Sequence, residues 1–440
     1  MKAKALLLLV SFACASTACL FGQVDCTTSK KLVCEFPVSA STLAANTVGN
    51  VQGLSPTVFE LSETAARPFN SSIATQLTQL PVPSAAIGTV FFKQKGKDAP
   101  VSFENLGPIL TDRPDTVGKN HLFVGFSYQH FNFNSLDGVS MGRLPAGFTF
   151  SQASATNPLD TLTFYGAEGN NVGFKLNQYV GVLTYGLTKN TDVSVVVPIN
   201  SVSLTATVTN FQAYEYDSAS RTYTNLSPAA GTSAYLTGTA SGIGDVTINF
   251  KQLLIGGEGR PAIAGGVMLR IPSGDALSYL GSGAVGGNAY GLFEYRKRLA
   301  PHLKLSYQWN GNSQVMNLQV APNTRLPGGL QYAAGADFKV KWFLTLAGDL
   351  LGNQFVNTPS FTVTTLSPSS TPPLPVGAGG PTSITSATGF TNTYTTINLS
   401  GGLKVYLGKG FLLYGNVLKQ VNNVGLRSDA VPLVGIAFKK

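Results

Sequence analysis

The glycine-rich run at residues 281–286 is the first candidate for chemistry in this sequence. Gly281-Ser282-Gly283-Ala284-Val285-Gly286 fits the G-x-G-x-x-G pattern, in which a turn between a strand and a helix binds a dinucleotide. Here the preceding predicted strand ends at residue 272, and the residues after the run alternate like another strand. A flexible surface loop explains the glycines better, and no cofactor is predicted.

Serine and histidine could support hydrolysis, but their spacing is unfavourable. His121, His130 and His302 are scattered, and neither H-E-x-x-H nor G-x-S-x-G occurs. Ser127 and His130 form the nearest pair, yet their odd separation places them on opposite faces of a strand. No catalytic residue is predicted, and a hydrolase that assembles Ser and His from adjacent strands is kept as a third hypothesis.

The densest charged cluster of the N-terminal part is Thr111-Asp112-Arg113-Pro114-Asp115-Thr116. An Asp-Arg-Pro-Asp turn favours local capping and ion pairing. The functional interpretation is a latch, made by Asp112, Arg113 and Asp115, that joins the N-terminal segment to the rest of the protein. The alternative is a solvated turn, and the sequence leaves both open.

The composition of the chain indicates which kind of secondary structure carries these residues. Of 440 residues only 12% are charged, against about 25% in soluble domains. A hydrophobic fraction of 43% and an aromatic fraction of 10% exclude disorder. After residue 20 there is no apolar run of about 18 residues that would predict a transmembrane helix. The composition therefore predicts a large all-β protein.

The N-terminus predicts export. Two lysines precede the apolar residues 5–18, and small residues follow, as in a secretory signal peptide. We predict a signal peptide at 1–22, with cleavage after Ala18 or Gly22. A lipoprotein cut before Cys19 is the alternative.

The cysteines agree with export. Cleavage at Gly22 leaves Cys26 and Cys34, and an even pair in an exported chain predicts a disulfide. Without a histidine cluster these two cysteines do not make a zinc site, and no metal is predicted. The formal net charge of +9 allows contact with anionic lipid head groups, although simple solubility explains it equally.

From about residue 120 the side chains alternate with period 2, which is typical of strands with two different faces. In residues 302–310 every even position is polar and every odd position is apolar. This pattern predicts twelve strands, at 120–133, 174–188, 191–209, 242–254, 260–272, 287–298, 302–311, 331–340, 343–353, 394–407, 411–420 and 428–438.

The connections between these strands alternate between tight and long. The long connections include 134–173, 210–241 and 354–393. Sorting of this kind is typical of an outer-membrane barrel, with tight periplasmic turns, long extracellular loops and both termini in the periplasm. We therefore predict a transmembrane antiparallel β-barrel over 119–440 and an N-terminal periplasmic or plug segment over 23–118, in the bacterial outer membrane.

In such a barrel the apolar face meets lipid and the polar face lines the lumen. A change in the parity of the apolar residues near Pro198 predicts a β-bulge in the third strand. The charged residues on the predicted lumenal face form structural ion pairs, or alternatively a polar pathway or selectivity constriction. They are Asp245, Lys251, Arg270, Glu294, Arg296, Lys304, Asp337, Lys339, Asp349 and Lys404.

Four motifs, in this order, resemble the outer-membrane family named for the meta-pathway of phenol degradation. They are Thr111-Asp112-Arg113-Pro114-Asp115, Gly242-Ile243-Gly244-Asp245-Val246, Arg260-Pro261-Ala262 and Leu269-Arg270-Ile271-Pro272-Ser273-Gly274-Asp275, within residues 107–438. The family is similar in outline to FadL-type transporters, in which an N-terminal hatch plugs the barrel. The resemblance implies passage of hydrophobic or aromatic molecules.

The C-terminal residues 434–440 alternate and carry a Phe near the end, which resembles the signal read by the barrel-assembly machinery. The sequence thus predicts a plugged channel, not an enzyme, for passive uptake of small hydrophobic or aromatic compounds. Its partners would be outer-membrane lipid, the assembly machinery and a small hydrophobic ligand, with no nucleic acid. The alternative is a structural or adhesive barrel with a closed lumen, which acts through its long loops.

Overall fold

The computed structural model describes residues 31–35, 69–80, 106, 108–153, 160–227, 233–256, 261–295, 297–316, 325–371 and 373–439. The predicted signal peptide, Cys26 and Arg296 lie outside the described residues, so predictions about them stay predictions. Cys34 is buried and disulfide-bonded. In the N-terminal part, residues 32–35 and 69–77 are helical. None of the described helices is long and apolar enough to span a membrane.

Within the described ranges, seventeen strands form one continuous sheet. Their bounds are β1 Leu122–Leu136, β2 Val139–Ser140, β3 Leu144–Ala153, β4 Thr161–Gly186, β5 Thr191–Asp217, β6 Thr222–Asn225, β7 Ala234–Ile243, β8 Val246–Ile255, β9 Pro261–Ile271, β10 Gly286–Tyr295, β11 Leu299–Asn310, β12 Gly329–Lys341, β13 Leu344–Leu366, β14 Ile384–Gly408, β15 Phe411–Gln420, β16 Leu426–Ser428 and β17 Ala430–Lys439.

The sheet closes into a barrel of twelve antiparallel wall strands. Closure occurs where β1 pairs with β17, from Phe123 opposite Lys439 to Gln129 opposite Leu433. β7 and β8 together form one wall strand beside β5, and the short strands β2, β3, β6 and β16 lie outside the count. The predicted all-β barrel and its twelve strands are confirmed.

The two faces of the wall are those of a membrane barrel. Apolar side chains point outward around the whole wall and are exposed, for example Leu305 and Leu269. Polar and charged side chains point inward and are buried, as with Gln129, Glu294 and Lys404. A soluble barrel would have the opposite arrangement. An outward apolar band on a closed barrel places the protein in the bacterial outer membrane.

The tight connections between consecutive wall strands lie at one end of the barrel, together with the start of β1 and the end of β17. They join β4 to β5, β8 to β9, β10 to β11, β12 to β13 and β14 to β15. This end is the periplasmic end by the rule for such barrels. The predicted sorting of the connections is therefore present in the structure.

The long connections predicted at 134–173, 210–241 and 354–393 are wrong in part, because much of each is strand. β4 begins at Thr161 and β5 ends at Asp217. β13 and β14 pair as far as Leu366 opposite Ile384. Beyond the membrane the outer face no longer meets lipid, so the strict alternation of polar and apolar residues ends while backbone pairing continues.

The β-bulge predicted near Pro198 is also wrong. β5 pairs with β4 without a shift in this region, and its even-numbered residues from 192 to 208 are all buried. The shift lies in the neighbouring wall strand. Val196 pairs with Thr247 in β8 and Ile199 pairs with Ile243 in β7, so the chain at residues 244–245 carries the extra residue.

The apolar residues of β5 change faces for a different reason. Val202 and Leu204 point into the lumen because the lumen beside them is apolar. There they belong to one buried cluster with Phe69 and Ile73 of the N-terminal helix and with Phe174 of β4. The shift of the apolar residues from odd to even positions therefore reflects what fills the barrel, and not a bulge.

We predict that Val267→Arg, at the middle of β9, destabilises the barrel by about 2–4 kcal/mol, because the charge enters the bilayer midplane. The matched control is Val376→Arg in the extracellular connection 367–383. Val267 is 52% exposed and Val376 is 76% exposed. If exposure alone mattered, both positions would tolerate arginine equally well. Denaturant unfolding in liposomes measures both, and equal effects would contradict the assigned lipid face.

Candidate functional site

Several described residues of the N-terminal segment that precedes β1 contact the inner face of the barrel. We call residues 108–117 the strap. Lys404 of β14 donates hydrogen bonds to the carbonyls of Leu106, at 3.1 Å, and Pro108. The Leu106 amide donates to Thr345 Oγ1 of β13 at 3.0 Å. Ile109 is fully buried. Because Lys404 and Thr345 lie next to tight turns, the strap occupies the periplasmic end of the lumen.

Arg113 joins the strap to β10, four wall strands away from β14. Its Nη2 and Nε lie 3.0 and 3.3 Å from the two carboxylate oxygens of Glu294 on β10. Asp115 Oδ2 lies 3.2 Å from Nη2. Glu294 is completely buried, so the guanidinium is the group that makes its charge tolerable. Of the predicted latch residues, Arg113 thus meets a predicted lumenal residue, while Asp115 pairs with Arg113 itself.

Lys251 of β8 holds the third latch residue. Its ammonium lies 3.6 Å from Asp112 Oδ1 and donates a 2.9 Å hydrogen bond to the Arg113 carbonyl. Further along, the Val117 amide donates to Asp192 Oδ2 at 2.9 Å. Asp192, which contacts the strap, and Thr345, which contacts Leu106 just before it, were not predicted from the sequence. Their signal was a polar residue at an inward position next to a tight turn.

His302 lies in a buried cluster with two predicted lumenal carboxylates. Its Nε2 is 2.6 Å from Asp349 Oδ1 and its Nδ1 is 3.4 Å from Asp337 Oδ2. Thr111 of the strap donates to Asp349 Oδ1 at 3.0 Å. Ser400 donates to the other oxygen of Asp349 at 3.5 Å. The carboxylate therefore lies between serine and imidazole, whereas a catalytic triad needs the imidazole in the middle.

The other serine and histidine candidates are not brought together either. Ser127 of β1 is buried on the lumenal face, while His130 lies on the outward face and bonds Asn177. Among the described residues, no group of three or more His, Cys, Asp or Glu could hold a metal ion.

A cavity of about 240 Å³ lies in the lumen on the extracellular side of the strap. Leu110 of the strap and residues 76–80 of the N-terminal segment form part of its boundary. One side is apolar, with Phe131, Phe133, Leu418, Leu426 and Val431 from β1 and β15–β17. The facing side, from β9–β14, is rich in amides and includes Asn288, Gln308, Gln331, Asn353 and Asn398.

The connection between β9 and β10 folds inward beside this cavity. Asp245 accepts a hydrogen bond from the Ser282 amide at 2.8 Å and lies 3.6 Å from Arg270 Nε. Arg270 also donates to Asn310 Oδ1 at 2.7 Å and to the Thr78 carbonyl at 3.1 Å. The predicted lumenal residues Asp245 and Arg270 therefore tie this connection and the N-terminal segment to the wall.

The glycine-rich run lies in the same connection and is not the surface loop that was predicted. Ser282 and Ala284 are buried. The glycines permit close packing, because a Cβ at Gly281 would clash with Asp245 Oδ1 and because Gly283 has φ +70°. The run leads into strand β10 rather than a helix, which is the wrong context for a dinucleotide.

Three predicted lumenal residues remain. Lys304 is partly buried and faces the cavity. Lys339 lies partly exposed at the periplasmic end, where its amide bonds the Arg298 carbonyl. Arg296 lies outside the described part of the chain. Whether any of these charges forms a pathway stays a prediction.

No family model matches the chain, and no curated protein matches it. The resemblance to the phenol-degradation family therefore stays a prediction. The solved structures with a similar fold are outer-membrane proteins. An outer membrane channel from Pseudomonas putida F1 is 11% identical, with a TM-score of 0.41, over 74% of this chain and 98% of that one.

A FadL homologue from Pseudomonas aeruginosa is 10% identical, with a TM-score of 0.28, over 80% of this chain and 98% of that one. The toluene transporter TodX from P. putida is 10% identical, with a TM-score of 0.33, over 83% of this chain and 99% of that one. These similarities are too low to transfer a ligand or an activity to this chain.

We predict that Arg113→Met destabilises the protein by about 3–5 kcal/mol, because it leaves the buried Glu294 carboxylate without its cation. The double variant Arg113→Met/Glu294→Leu recovers most of this loss, since the fully buried Glu294 carboxylate is removed together with its cation. The exposed pair Lys31–Asp275 is the control, and Lys31→Met costs less than about 1 kcal/mol. Denaturant unfolding in detergent measures all four proteins. A double variant no better than Arg113→Met would contradict the ion pair.

Proposed function

We propose that this protein is an outer-membrane channel for passive uptake of small hydrophobic or aromatic compounds. The lumenal cavity with one apolar side is the observation that supports this function most directly. Pockets for drug-sized ligands measure roughly 300–1,000 Å³, so about 240 Å³ suits a compound with a single ring. The partners implied are outer-membrane lipid, the barrel-assembly machinery and that small ligand, with no nucleic acid and no cofactor.

We further propose that residues 23–118 act as the plug. The strap contacts β8 through the Arg113 carbonyl and β14 through the Pro108 carbonyl, and these two wall strands face each other across the barrel. This placement supports a plug at the periplasmic end, which a compound held in the cavity would have to pass. The strap is held by buried ion pairs, which keep it in position. Water can replace these polar contacts, so the strap could also move.

A structural or adhesive barrel is the second candidate, and one specific observation favours it. A separate core of Tyr165, Tyr223, Leu374 and Ile384 orders the connections beyond the extracellular side of the membrane. Tyr223 donates from its amide to the Ala378 carbonyl and from its hydroxyl to the Pro375 carbonyl. A rigid external surface of this kind suits attachment, in which case the lumen has no role.

Single-channel recording in planar bilayers separates the two candidates. We expect the full chain to stay closed or open only briefly. Deletion of residues 23–118 should give a steady pore, since it removes the whole strap from the lumen. Lys404→Met keeps the chain intact but removes the hydrogen bonds to Leu106 and Pro108, so openings should become more frequent. Lys341→Met, at an exposed position, is the matched control.

The transport activity itself is measured in cells whose outer membrane retains its lipopolysaccharide. Expression of the full chain should raise the uptake rate of toluene and benzyl alcohol above that of cells without it. The channel function is refuted if uptake is unchanged and both the deletion and Lys404→Met proteins stay closed. That pair of results would instead support the structural or adhesive barrel.

A further inference from the structure

The cavity carries more positive than negative charge. Among the described residues that line it, the cations are Arg270, Lys304 and Arg427, and Asp245 is the one carboxylate. Asp245 pairs with Arg270. Lys304 and Arg427 therefore leave the enclosed space with an excess of positive charge.

Lys304 points from β11 into the cavity without a polar partner. Its ammonium lies 5.2 Å from the centre of the Tyr290 ring, and no hydrogen bond or ion pair links it to another described residue. Asp112 acts on it electrostatically, but that carboxylate is paired with Lys251 at 3.6 Å. The neighbouring position on β12 is the small residue Ala333, which leaves room beside the ammonium group.

Arg427 is held in place by neutral acceptors. Its Nη2 donates to the Ile397 carbonyl at 2.9 Å and to Asn398 Oδ1 at 2.7 Å, and its Nε donates to the Asn422 carbonyl at 3.1 Å. These bonds fix the guanidinium but do not neutralise it. Its charge therefore adds to the positive potential inside the low-dielectric barrel.

The apolar side of the cavity faces Lys304 of β11, while Arg427 lies on β16 next to Leu426 of the apolar side. Phe131 and Phe133 stack with their ring centres 5.8 Å apart, and Leu418 and Val431 extend the same surface. A ligand that fits both sides needs a flat apolar part and an anionic group at one end. A neutral hydrocarbon would leave the ammonium of Lys304 desolvated and unpaired, which is unfavourable.

We propose that the cavity binds a small monocarboxylate with one aromatic ring, its carboxylate on Lys304 and its ring on the phenylalanine side. This inference rests on the proposed function only for the ligand's route to the cavity. The volume of about 240 Å³ suits a ligand with one aromatic ring. Charge-assisted hydrogen bonds are roughly twice as strong as neutral ones, so the anion should be preferred over a neutral compound of equal size.

Calorimetric titration of the full chain in detergent tests this with benzoate and its neutral counterpart benzamide. We expect benzoate to bind at least tenfold more tightly than benzamide. Lys304→Met should weaken benzoate binding tenfold or more and leave benzamide unchanged, while Lys304→Arg retains the preference. Lys341→Met removes the same charge outside the cavity and should alter neither affinity. Equal affinities for the two ligands, or benzoate binding unaffected by Lys304→Met, overturn the proposal.

Uptake measurements keep this inference distinct from the proposed function. If cells take up toluene through the protein but purified protein does not prefer benzoate, the channel function stands and the anion site is refuted. If purified protein prefers benzoate through Lys304 while no compound is taken up, the site stands and the channel function is refuted. Lys304→Arg is the control for a folding defect. Because it preserves the charge, it must still bind benzoate.

Discussion

The buried ion pair between Arg113 and Glu294 is the interaction on which the arrangement of the lumen depends. The strap has no strand partner, so side-chain contacts must replace the backbone ladder that holds every wall strand. Charges buried in this way are tolerated only as a satisfied set, because each unpaired member would cost several kcal/mol. Glu294, Asp115 and Arg113 form such a set, and Lys251 with Asp112 extends it.

The lumen is consequently layered. At the periplasmic end the strap is surrounded by ion pairs and by the His302 cluster. Next comes the cavity, polar on one side and apolar on the other. Elsewhere in the lumen the N-terminal helix packs against an apolar inner wall, where Phe69 meets Phe174 edge-on and Phe174 meets Tyr279 in the same way. Each layer has its own chemistry, and the inward residues of the wall change with it.

This layering explains how much of the fold could be predicted. Lipid demands an apolar outer face at every height of the membrane, so the alternation in residues 302–310 predicted both strand and face. The twelve strands follow from the same constraint. The inward side chains instead match whatever they contact in the lumen. The sequence of a single strand does not reveal those contacts. Val202 and Leu204 therefore suggested a bulge at Pro198, although they only meet the apolar contents of the barrel. Similarly, the run at 281–286 was predicted to be a surface loop, because glycines occur both in flexible loops and in closely packed connections.

The candidate site was predictable in part for the same reason. An Asp-Arg-Pro-Asp cluster ahead of the barrel and charged residues at inward positions indicated pairing, and the structure joins Arg113 to Glu294 and Lys251 to Asp112. Which cations would remain without a carboxylate could not be predicted, because it depends on the strap's path through the lumen. Arg427 lies in a short extracellular strand that the sequence pattern did not indicate at all.

The central claim is that the strap fills the periplasmic end of the lumen, and thiol labelling tests it most directly. Ile109→Cys would be compared with Val376→Cys in outer-membrane fragments treated with a bulky, membrane-impermeant maleimide, since Cys34 is already disulfide-bonded. The account predicts that the thiol at position 376 reacts within minutes while the thiol at position 109 stays unlabelled until the protein is denatured. Equal labelling at the two positions in the native membrane would contradict it.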